Sequence, residues 1–197
     1  SSRPNVNTQI YSEPTEPIYF KTLCIPAEER QALIDLHDST NGEDNWTNST
    51  DWLGDAGSEC DWYGVTCNLD GEVGKENHVI EIDLENNDLI GNIPISIGTF
   101  KNLTKLNLGG NTLTGEIPRE IGNLQFLQYL SLRGNDDLTD DSLIGAIPIE
   151  LWGIIQLKRI DLSNNNLIGE IPIGTGNLIN LEILDLSNNG LYGPIPD

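Results

Sequence analysis

The apolar residues of the region 79–197 recur at a fixed interval. Aligned on their first apolar position, five copies begin at Val79, Leu103, Leu127, Leu157 and Leu181, with spacings of 24, 24, 30 and 24 residues. Apolar residues fill the first, fourth and sixth positions of each copy, an alternation that predicts a short strand with one buried face. One such unit cannot bury its own apolar side chains, so neighbouring copies must stack. The pattern therefore predicts a solenoid whose strands form a parallel sheet.

Three further columns of the repeat are interpreted as structural. A buried Asn amide can satisfy backbone groups where the chain leaves the strand. Glycine suits a bend, and proline suits an extended segment that has no donor to spare. The asparagines are Asn87, Asn111, Asn135, Asn165 and Asn189; the glycines are Gly91, Gly115, Gly145, Gly169 and Gly193; Ile-Pro pairs run from Ile93-Pro94 to Ile195-Pro196.

The segments "LTGEIP" and "LIGEIP" resemble the LxGxIP signature of plant-type leucine-rich repeat proteins. This resemblance implies an α/β fold: a short, curved, right-handed coil with a parallel β-sheet on its concave face. The expected repeats are residues 79–102, 103–126, 127–156 and 157–180, followed by a truncated copy at 181–197. Because the last copy is incomplete, we expect a longer parent protein.

The third repeat is six residues longer than its neighbours, and the extra residues are "DDLTDD" or a one-step shift of it. We expect an exposed acidic loop at the rim of the sheet. Its carboxylates could surround Ca²⁺, but their spacing lacks the alternating Asp-x-Asp pattern with a central Gly. The acidic loop is therefore favoured over a specific calcium site. The aspartates concerned are Asp136, Asp137, Asp140 and Asp141.

The first third of the chain predicts a polar, extended leader at residues 1–23 and a capping domain at 24–78. In "IPAEERQALIDLHDST", Pro26 suits a helical first turn, and Leu33, Ile34 and Leu36 share an apolar face. The segment "CDWYGVTC" at 60–67 resembles the N-terminal cap of polygalacturonase inhibitors and leucine-rich repeat receptor-kinase ectodomains. The resemblance implies a helical cap that covers the end of the solenoid.

The cysteines follow the family's pattern with one departure. The resemblance implies a disulfide between Cys60 and Cys67. Glu59 stands where the family has a further cysteine, so Cys24 loses its expected partner. Cys24 could be a buried free thiol, pair with another chain, or pair with a cysteine outside this sequence.

Charge and glycosylation signals limit the partners and the compartment. With 31 acidic and 10 basic residues, the net charge of −21 disfavours nucleic acid and anionic lipid and is compatible with cationic partners. No apolar run reaches the roughly 18 residues that span a bilayer, so no direct membrane insertion is expected. The short cysteine loop and the sequons at Asn45, Asn48 and Asn102 favour a secreted or cell-surface protein.

The outward positions of the predicted strands form the candidate ligand-binding face. Two of their three columns vary in charge and size between repeats, which suits recognition of an irregular surface. Tyr129, Arg133 and Arg159 form the candidate hot spot, because aromatic and Arg side chains give large, oriented contacts. The middle column, rich in Asp, is more typical of the family's framework. The residues are Glu81, Asp83, Glu85, Lys105, Asn107, Tyr129, Ser131, Arg133, Arg159, Asp161 and Asp185.

Catalysis is not predicted. The two histidines, His37 and His78, accompany no nucleophile motif. Carboxylates at residues 81, 83 and 85 have a spacing that glycoside hydrolysis tolerates, but any half-buried strand shows the same alternation. No metal site or cofactor is predicted.

We therefore predict a non-catalytic recognition module that binds a protein or peptide through the concave face and adjacent loops. The alternative is an inhibitor of a secreted hydrolase such as a polygalacturonase. An ice- or polysaccharide-binding role is less favoured, because no outward column of these strands repeats Thr or another small polar residue.

Overall fold

The computed structural model describes residues 25–68, 77–135 and 142–195. The predicted leader at 1–23, Cys24 and the acidic insertion (Asp136, Asp137, Asp140 and Asp141) lie outside these ranges. The helix is α1 (Ala27–Ser39), and the strands are β1 (Val65–Cys67), β2 (Val79–Asp83), β3 (Ile90–Asn92), β4 (Lys105–Asn107), β5 (Thr112–Glu116), β6 (Tyr129–Ser131), β7 (Leu143–Ala146), β8 (Arg159–Asp161), β9 (Asn166–Glu170), β10 (Ile183–Asp185) and β11 (Gly190–Tyr192). Short 3₁₀ helices span Glu59–Asp61, Ile95–Thr99, Arg119–Asn123, Ile149–Gly153 and Ile173–Asn177.

Two sheets run the length of the repeat array. The first has the order β1-β2-β4-β6-β8-β10, and its repeat strands are parallel to one another. The second has the order β11-β9-β7-β5-β3. Each repeat thus contributes one strand to each sheet and then a 3₁₀ helix, except that the last strand, β11, is not followed by one within the described residues. The parallel solenoid predicted from the repeat is confirmed.

The repeat's apolar positions form the core between these layers. Leu103, Leu106 and Leu108, at the first, fourth and sixth positions of their copy, are fully buried, as are the corresponding side chains of the neighbouring copies. The leucine of the LxGxIP segment is also buried, for example Leu113 in β5. The glycine two residues later, Gly115, has a φ of +75°, a conformation that L side chains rarely adopt.

The second sheet was not predicted. The sequence indicated only a bend at the Gly column and an extended segment at the Pro column. Because extended segments recur once per repeat, stacking brings them to a common register: Ile90 pairs with Thr112, and Ile144 pairs with Asn166. The second sheet depends on pairing between segments that are distant in the sequence, and no local sequence pattern reveals that pairing.

The Asn column connects consecutive repeats through the backbone. The Oδ1 atom of Asn111 accepts the N–H groups of Asn87 at 2.9 Å and Leu89 at 3.1 Å. Its Nδ2 group donates to the carbonyls of Leu84 and Leu108, each at 2.9 Å. Asn111 therefore satisfies buried donors and acceptors in two repeats at once, as predicted for this column.

The strand register shows where the long repeat accommodates its extra residues. In the second sheet Ile90 pairs with Thr112, 22 positions on, whereas Gly115 pairs with Leu143, 28 positions on. The difference, 28 − 22, is six residues. Asn135 still occupies its ladder position, accepting the N–H of Leu113 at 3.1 Å. The extra residues thus lie between Asn135 and Leu143, and the sheets on either side keep their pairing.

The cap is built on helix α1 and a row of aromatic rings. Ala32, Leu33 and Leu36 of the helix are buried. The ring centroids of Trp46 and Trp52 are 4.7 Å apart, and those of Trp52 and Trp62 are 5.0 Å apart. Strand β1 pairs antiparallel with β2 and joins the cap to the first repeat. The predicted helix and the Cys60–Cys67 disulfide are confirmed.

An ion pair occupies the part of the cap where the family resemblance implies an additional cysteine. The Glu59 carboxylate is buried and pairs with the Arg30 guanidinium. The backbone N–H of Gly57 also donates to Glu59, at 3.0 Å. Arg30 in turn donates to the carbonyl of Gly54 at 2.6 Å and lies over the Trp62 ring, 5.2 Å from its centroid. A noncovalent connection therefore links α1 to the Glu59–Asp61 turn.

Glu29 provides a second connection, between the cap helix and the repeats. Its buried carboxylate accepts the backbone N–H of Val79 at 2.8 Å and lies 2.8 Å from Nδ1 of His78.

In the described part of the chain, no helix is long and apolar enough to cross a membrane.

Candidate ligand-binding face

The predicted outward residues meet on the solvent side of the first sheet, which we call the first-sheet face. Its first column follows the strand register: Glu81 pairs with Lys105, Lys105 with Tyr129, and Tyr129 with Arg159. Adjacent parallel strands lie about 4.8 Å apart, so these side chains are direct neighbours. The sequence alignment therefore placed them correctly relative to one another.

Tyr129 lies between two cations. The Lys105 ammonium and the Arg159 guanidinium are each 5.7 Å from the centroid of the tyrosine ring. Lys105 also contacts the Asp83 carboxylate at 2.7 Å, and this hydrogen bond raises the pKa of Lys105 above its ordinary value. The centre of the face is thus an aromatic ring with a cation on each side, an arrangement stabilised by the ring's quadrupole.

The Arg133 side chain, in the third repeat, extends across the second repeat to Glu85 in the first. Its Nη2 atom lies 2.5 Å from Oε1 of Glu85, 48 positions earlier in the chain. The residue between them in the same column is Gly109, and a Cβ atom there would lie 3.0 Å from Cγ of Arg133. The hydrogen bond to Glu85 raises the pKa of Arg133. Because Gly109 has no side chain, the Arg133 side chain can extend across the face to Glu85.

The middle column requires a correction. Asn107, Ser131 and Asp161 were predicted as ligand contacts, but all three are buried. Asn107 donates from Nδ2 to Oδ1 of Asp83 at 2.9 Å, and Asp161 accepts the Ser163 hydroxyl at 2.7 Å. Because neighbouring side chains cover them, these residues present almost no surface to a ligand. The polar groups of Asn107 and Asp161 serve the framework.

Asp185 repeats the arrangement at the last described strand of the sheet. Its Oδ1 atom accepts the Ser187 hydroxyl at 2.6 Å and the Ser187 N–H at 3.0 Å. These hydrogen bonds lower the pKa of Asp185. Unlike Asp161, Asp185 is partly exposed.

A shallow groove of about 480 Å³ lies toward the cap end of the first-sheet face. Two of its residues, Thr104 and Gln128, were missed, because each immediately precedes the first predicted outward position of its strand. A rule that extends the outward set by one residue would have found them. Among the residues described, no cluster of His, Cys, Asp or Glu could hold a metal ion. The groove is lined by Glu81, Asp83, Glu85, Thr104, Lys105, Asn107, Gln128 and Tyr129.

The other predicted positions lie away from this face. Asn45 and Asn48 belong to the cap, and Asn102 precedes the second repeat; all three are partly exposed. Oδ1 of Asn48 accepts the N–H of Thr50, in its own sequon, at 3.0 Å.

The second sheet exposes a column of apolar and hydroxyl side chains that sequence reasoning did not single out. The column follows the residue after the LxGxIP leucine, and its signal was a recurring Ile at that position. The exposed members are Ile90, Ile144, Ile168 and Tyr192, and Thr114 is partly exposed.

Comparison with known proteins identifies the architecture. Residues 26–68 match the leucine rich repeat N-terminal domain, and residues 102–124, 156–178 and 180–197 match the leucine rich repeat. The structure matches the BIR2 ectodomain from Arabidopsis thaliana with 32% sequence identity and a TM-score of 0.72, covering 85% of this chain and 83% of that one. The chain belongs to the leucine-rich repeat family. The family assignment and the capping domain, which were inferred from the LxGxIP and cysteine motifs, are thereby confirmed.

Two other similar structures belong to proteins with different functions. A plant ice-binding protein has 28% identity and a TM-score of 0.71, with coverage of 85% of this chain and 50% of that one. The plant peptide hormone receptor RGFR1 in complex with RGF2 has 38% identity and a TM-score of 0.57, with coverage of 70% and 19%. The chain thus spans half the length of the ice-binding protein and about a fifth of RGFR1. No curated protein sequence matches the chain.

Proposed function

We propose that this leucine-rich repeat protein is a non-catalytic, extracellular recognition module that binds a protein or peptide through the first-sheet face and adjacent loops. The observation that carries the proposal is the row formed by Lys105, Tyr129 and Arg159 on adjacent strands. The row is exposed enough to contact a partner, and its ring and cations are positioned by a rigid framework. Aromatic and Arg side chains in such settings dominate binding energies.

The comparisons support a protein or peptide as the partner. RGFR1 is a peptide hormone receptor solved with RGF2, and BIR2 is represented by its ectodomain. One relative is thus a receptor that binds a peptide, and the other is an ectodomain. The disulfide and the three sequons fit the same extracellular setting.

Capture from secreted extracts tests the proposal. The wild-type chain should retain specific partners that Tyr129→Ala loses, because the substitution removes the ring that lies between two cations. Tyr192→Ala, which changes an exposed tyrosine on the second sheet, is the matched control and should retain them. Equal recovery by all three proteins would exclude the first-sheet face as the binding site. Recovery of a secreted polygalacturonase that this chain inhibits would support the hydrolase-inhibitor alternative.

A second candidate, ice binding, is favoured by one specific observation. The ice-binding relative matches over 85% of this chain, and each strand of the second sheet exposes one residue of a recurring set, displaced by two positions from the direct partner of the preceding one. The set is Ile90, Thr114, Ile144, Ile168 and Tyr192. An ice-recrystallisation assay of the wild type and two variants tests this candidate function. Activity lost in Ile144→Lys but kept in Tyr129→Ala would place ice binding on the second sheet, and absence of activity in the wild type would exclude it.

A further inference from the structure

The Arg133–Glu85 bridge covers a polar group that has no partner in the described structure. Ser131 is 0% exposed, and its hydroxyl makes no hydrogen bond. A Cβ atom at Gly109 would lie 3.0 Å from that hydroxyl and 3.0 Å from Cγ of Arg133. The unpartnered hydroxyl therefore faces the space above Gly109, beside the aliphatic part of the arginine. Buried polar groups without partners are rare and costly in native structures, so this one requires an explanation.

The charges around the bridge indicate which ligand would resolve it. Glu85 lies next to Asp83 and Glu81 on the solvent side of β2 and its C-terminal continuation. Asp83 is bound to Lys105 and Glu85 to Arg133, whereas Glu81 forms no ion pair with a described residue. The whole chain carries a net charge of −21 and attracts cations over long range. The cap end of the face thus has carboxylates in excess.

We propose that the first-sheet face recognises a peptide segment bearing an arginine or lysine side chain, and that this side chain replaces Arg133 at the Glu85 carboxylate. This inference rests on the recognition role proposed above and specifies its ligand. In the bound state the ligand's basic group contacts Glu85 and Glu81. Arg133 moves away from Gly109, and the ligand backbone passes over Gly109 and pairs with the Ser131 hydroxyl.

The mechanism makes Arg133 an internal competitor of the ligand. Both Arg133 and the basic group of the ligand need the same carboxylate oxygen. Gly109 lets the protein's own arginine reach that position in the free state. Removing the arginine should therefore strengthen binding of a basic ligand, whereas an ordinary hot-spot residue would weaken binding when removed.

The experiment follows backbone amide signals by NMR while the full chain is titrated with acetyl-Gly-Arg-Gly-amide or acetyl-Gly-Glu-Gly-amide. The arginine peptide should shift the Gly109 and Ser131 signals. Arg133→Gln should bind it about two- to five-fold more tightly than the wild type, the size expected when an exposed ion pair no longer competes. Glu85→Gln should lose the response.

Charge-matched substitutions test whether net charge alone explains the changes in peptide affinity. Arg119 and Glu120 form an ion pair in the Arg119–Asn123 helix, outside the first sheet. Arg119→Gln and Glu120→Gln change the net charge by the same amounts as the test variants and should leave the affinity as in the wild type. An affinity that follows net charge alone in all four variants would overturn the proposal.

Two other results would also overturn it. One is tighter binding of the glutamate peptide than of the arginine peptide, with loss in Arg133→Gln, which would make Arg133 a direct ligand for a carboxylate. The other is the absence of any shift at Gly109 and Ser131 with the arginine peptide at millimolar concentration. If capture from secreted extracts still depends on Tyr129 in that case, only the specificity for a basic residue fails and the recognition role stands.

Discussion

Asn111 shows how much of the fold depends on single side chains. Its amide makes hydrogen bonds to the backbone of two repeats and is almost fully buried. When such a group is removed, its former partners are left buried without hydrogen bonds, and that penalty exceeds the net value of the bonds themselves. The Asn column is therefore a stability determinant independent of what the face binds.

We expect Asn111→Ala to lower the free energy of unfolding by about 1–3 kcal/mol, because the substitution leaves buried N–H and C=O groups unpaired. Urea denaturation followed by circular dichroism measures the change. Asn92→Ala is the control, because Asn92 is exposed and accepts one hydrogen bond, from the Thr114 hydroxyl. Equal stability of the two variants would contradict the role of the ladder.

Asp185 allows a test of side-chain electrostatics at the same scale. Ser187→Ala removes the hydroxyl that contributes most to the low pKa of Asp185, so the pKa should rise toward its ordinary value. Because the folded-state pKa is depressed, the contribution of Asp185 to stability is present above its unfolded-state pKa and is lost as pH falls through the folded-state pKa. Ser187→Ala should thus reduce the loss of stability at acidic pH.

NMR titration of the Asp185 carboxyl carbon measures the shift directly. Thr175→Ala removes a hydroxyl that donates to the Pro172 carbonyl and should leave the pKa of Asp185 unchanged. A pKa of Asp185 that is the same with and without the Ser187 hydroxyl would show that the backbone N–H accounts for the effect alone.

At the level of elements, the cap uses an ion pair to fasten its helix. Arg30→Ala leaves the Glu59 carboxylate buried without its cationic partner, a change that typically costs about 3–5 kcal/mol. Arg30 is partly exposed, so the lower end of that range is expected. The thermal unfolding midpoint should fall accordingly.

Arg119→Ala provides the matched control for the cap. It also breaks an ion pair within the chain, but Arg119 is 77% exposed, and exposed pairs contribute about 0–1 kcal/mol. If both variants unfold at the same temperature, the Arg30–Glu59 pair does not stabilise the cap.

The elements also show what local sequence can and cannot predict. The period of the leucines and the Asn column predicted the first sheet, its register and the direction of Tyr129, because strands fix side-chain direction residue by residue. Local sequence did not predict strand β1, the second sheet or the burial of Ser131. These features depend on which distant segments pair and on the conformations of long side chains such as Arg133. Neither can be deduced from a local sequence pattern.

At the scale of the whole molecule, a repeat array is stabilised by contacts between neighbours, so an insertion matters only if it disturbs them. The strands on either side of the long third repeat keep their pairing, and Asn135 still accepts the N–H of Leu113 and donates to the carbonyl of Leu132. Deleting residues 136–141 would restore the 24-residue spacing of the other copies. The deletion also removes four aspartates, so the net charge changes from −21 to −17.

We expect the deletion variant to fold with nearly unchanged stability, because the difference between two loop lengths costs only about 0.6 kcal/mol per doubling. Circular dichroism and urea denaturation measure the fold and its stability. If the acidic residues help to select cationic partners, the variant should bind the arginine tripeptide more weakly, and a variant with all four aspartates changed to asparagine should match it. A collapse of stability on deletion, with the asparagine variant unaffected, would instead show that the insertion holds the third and fourth repeats together.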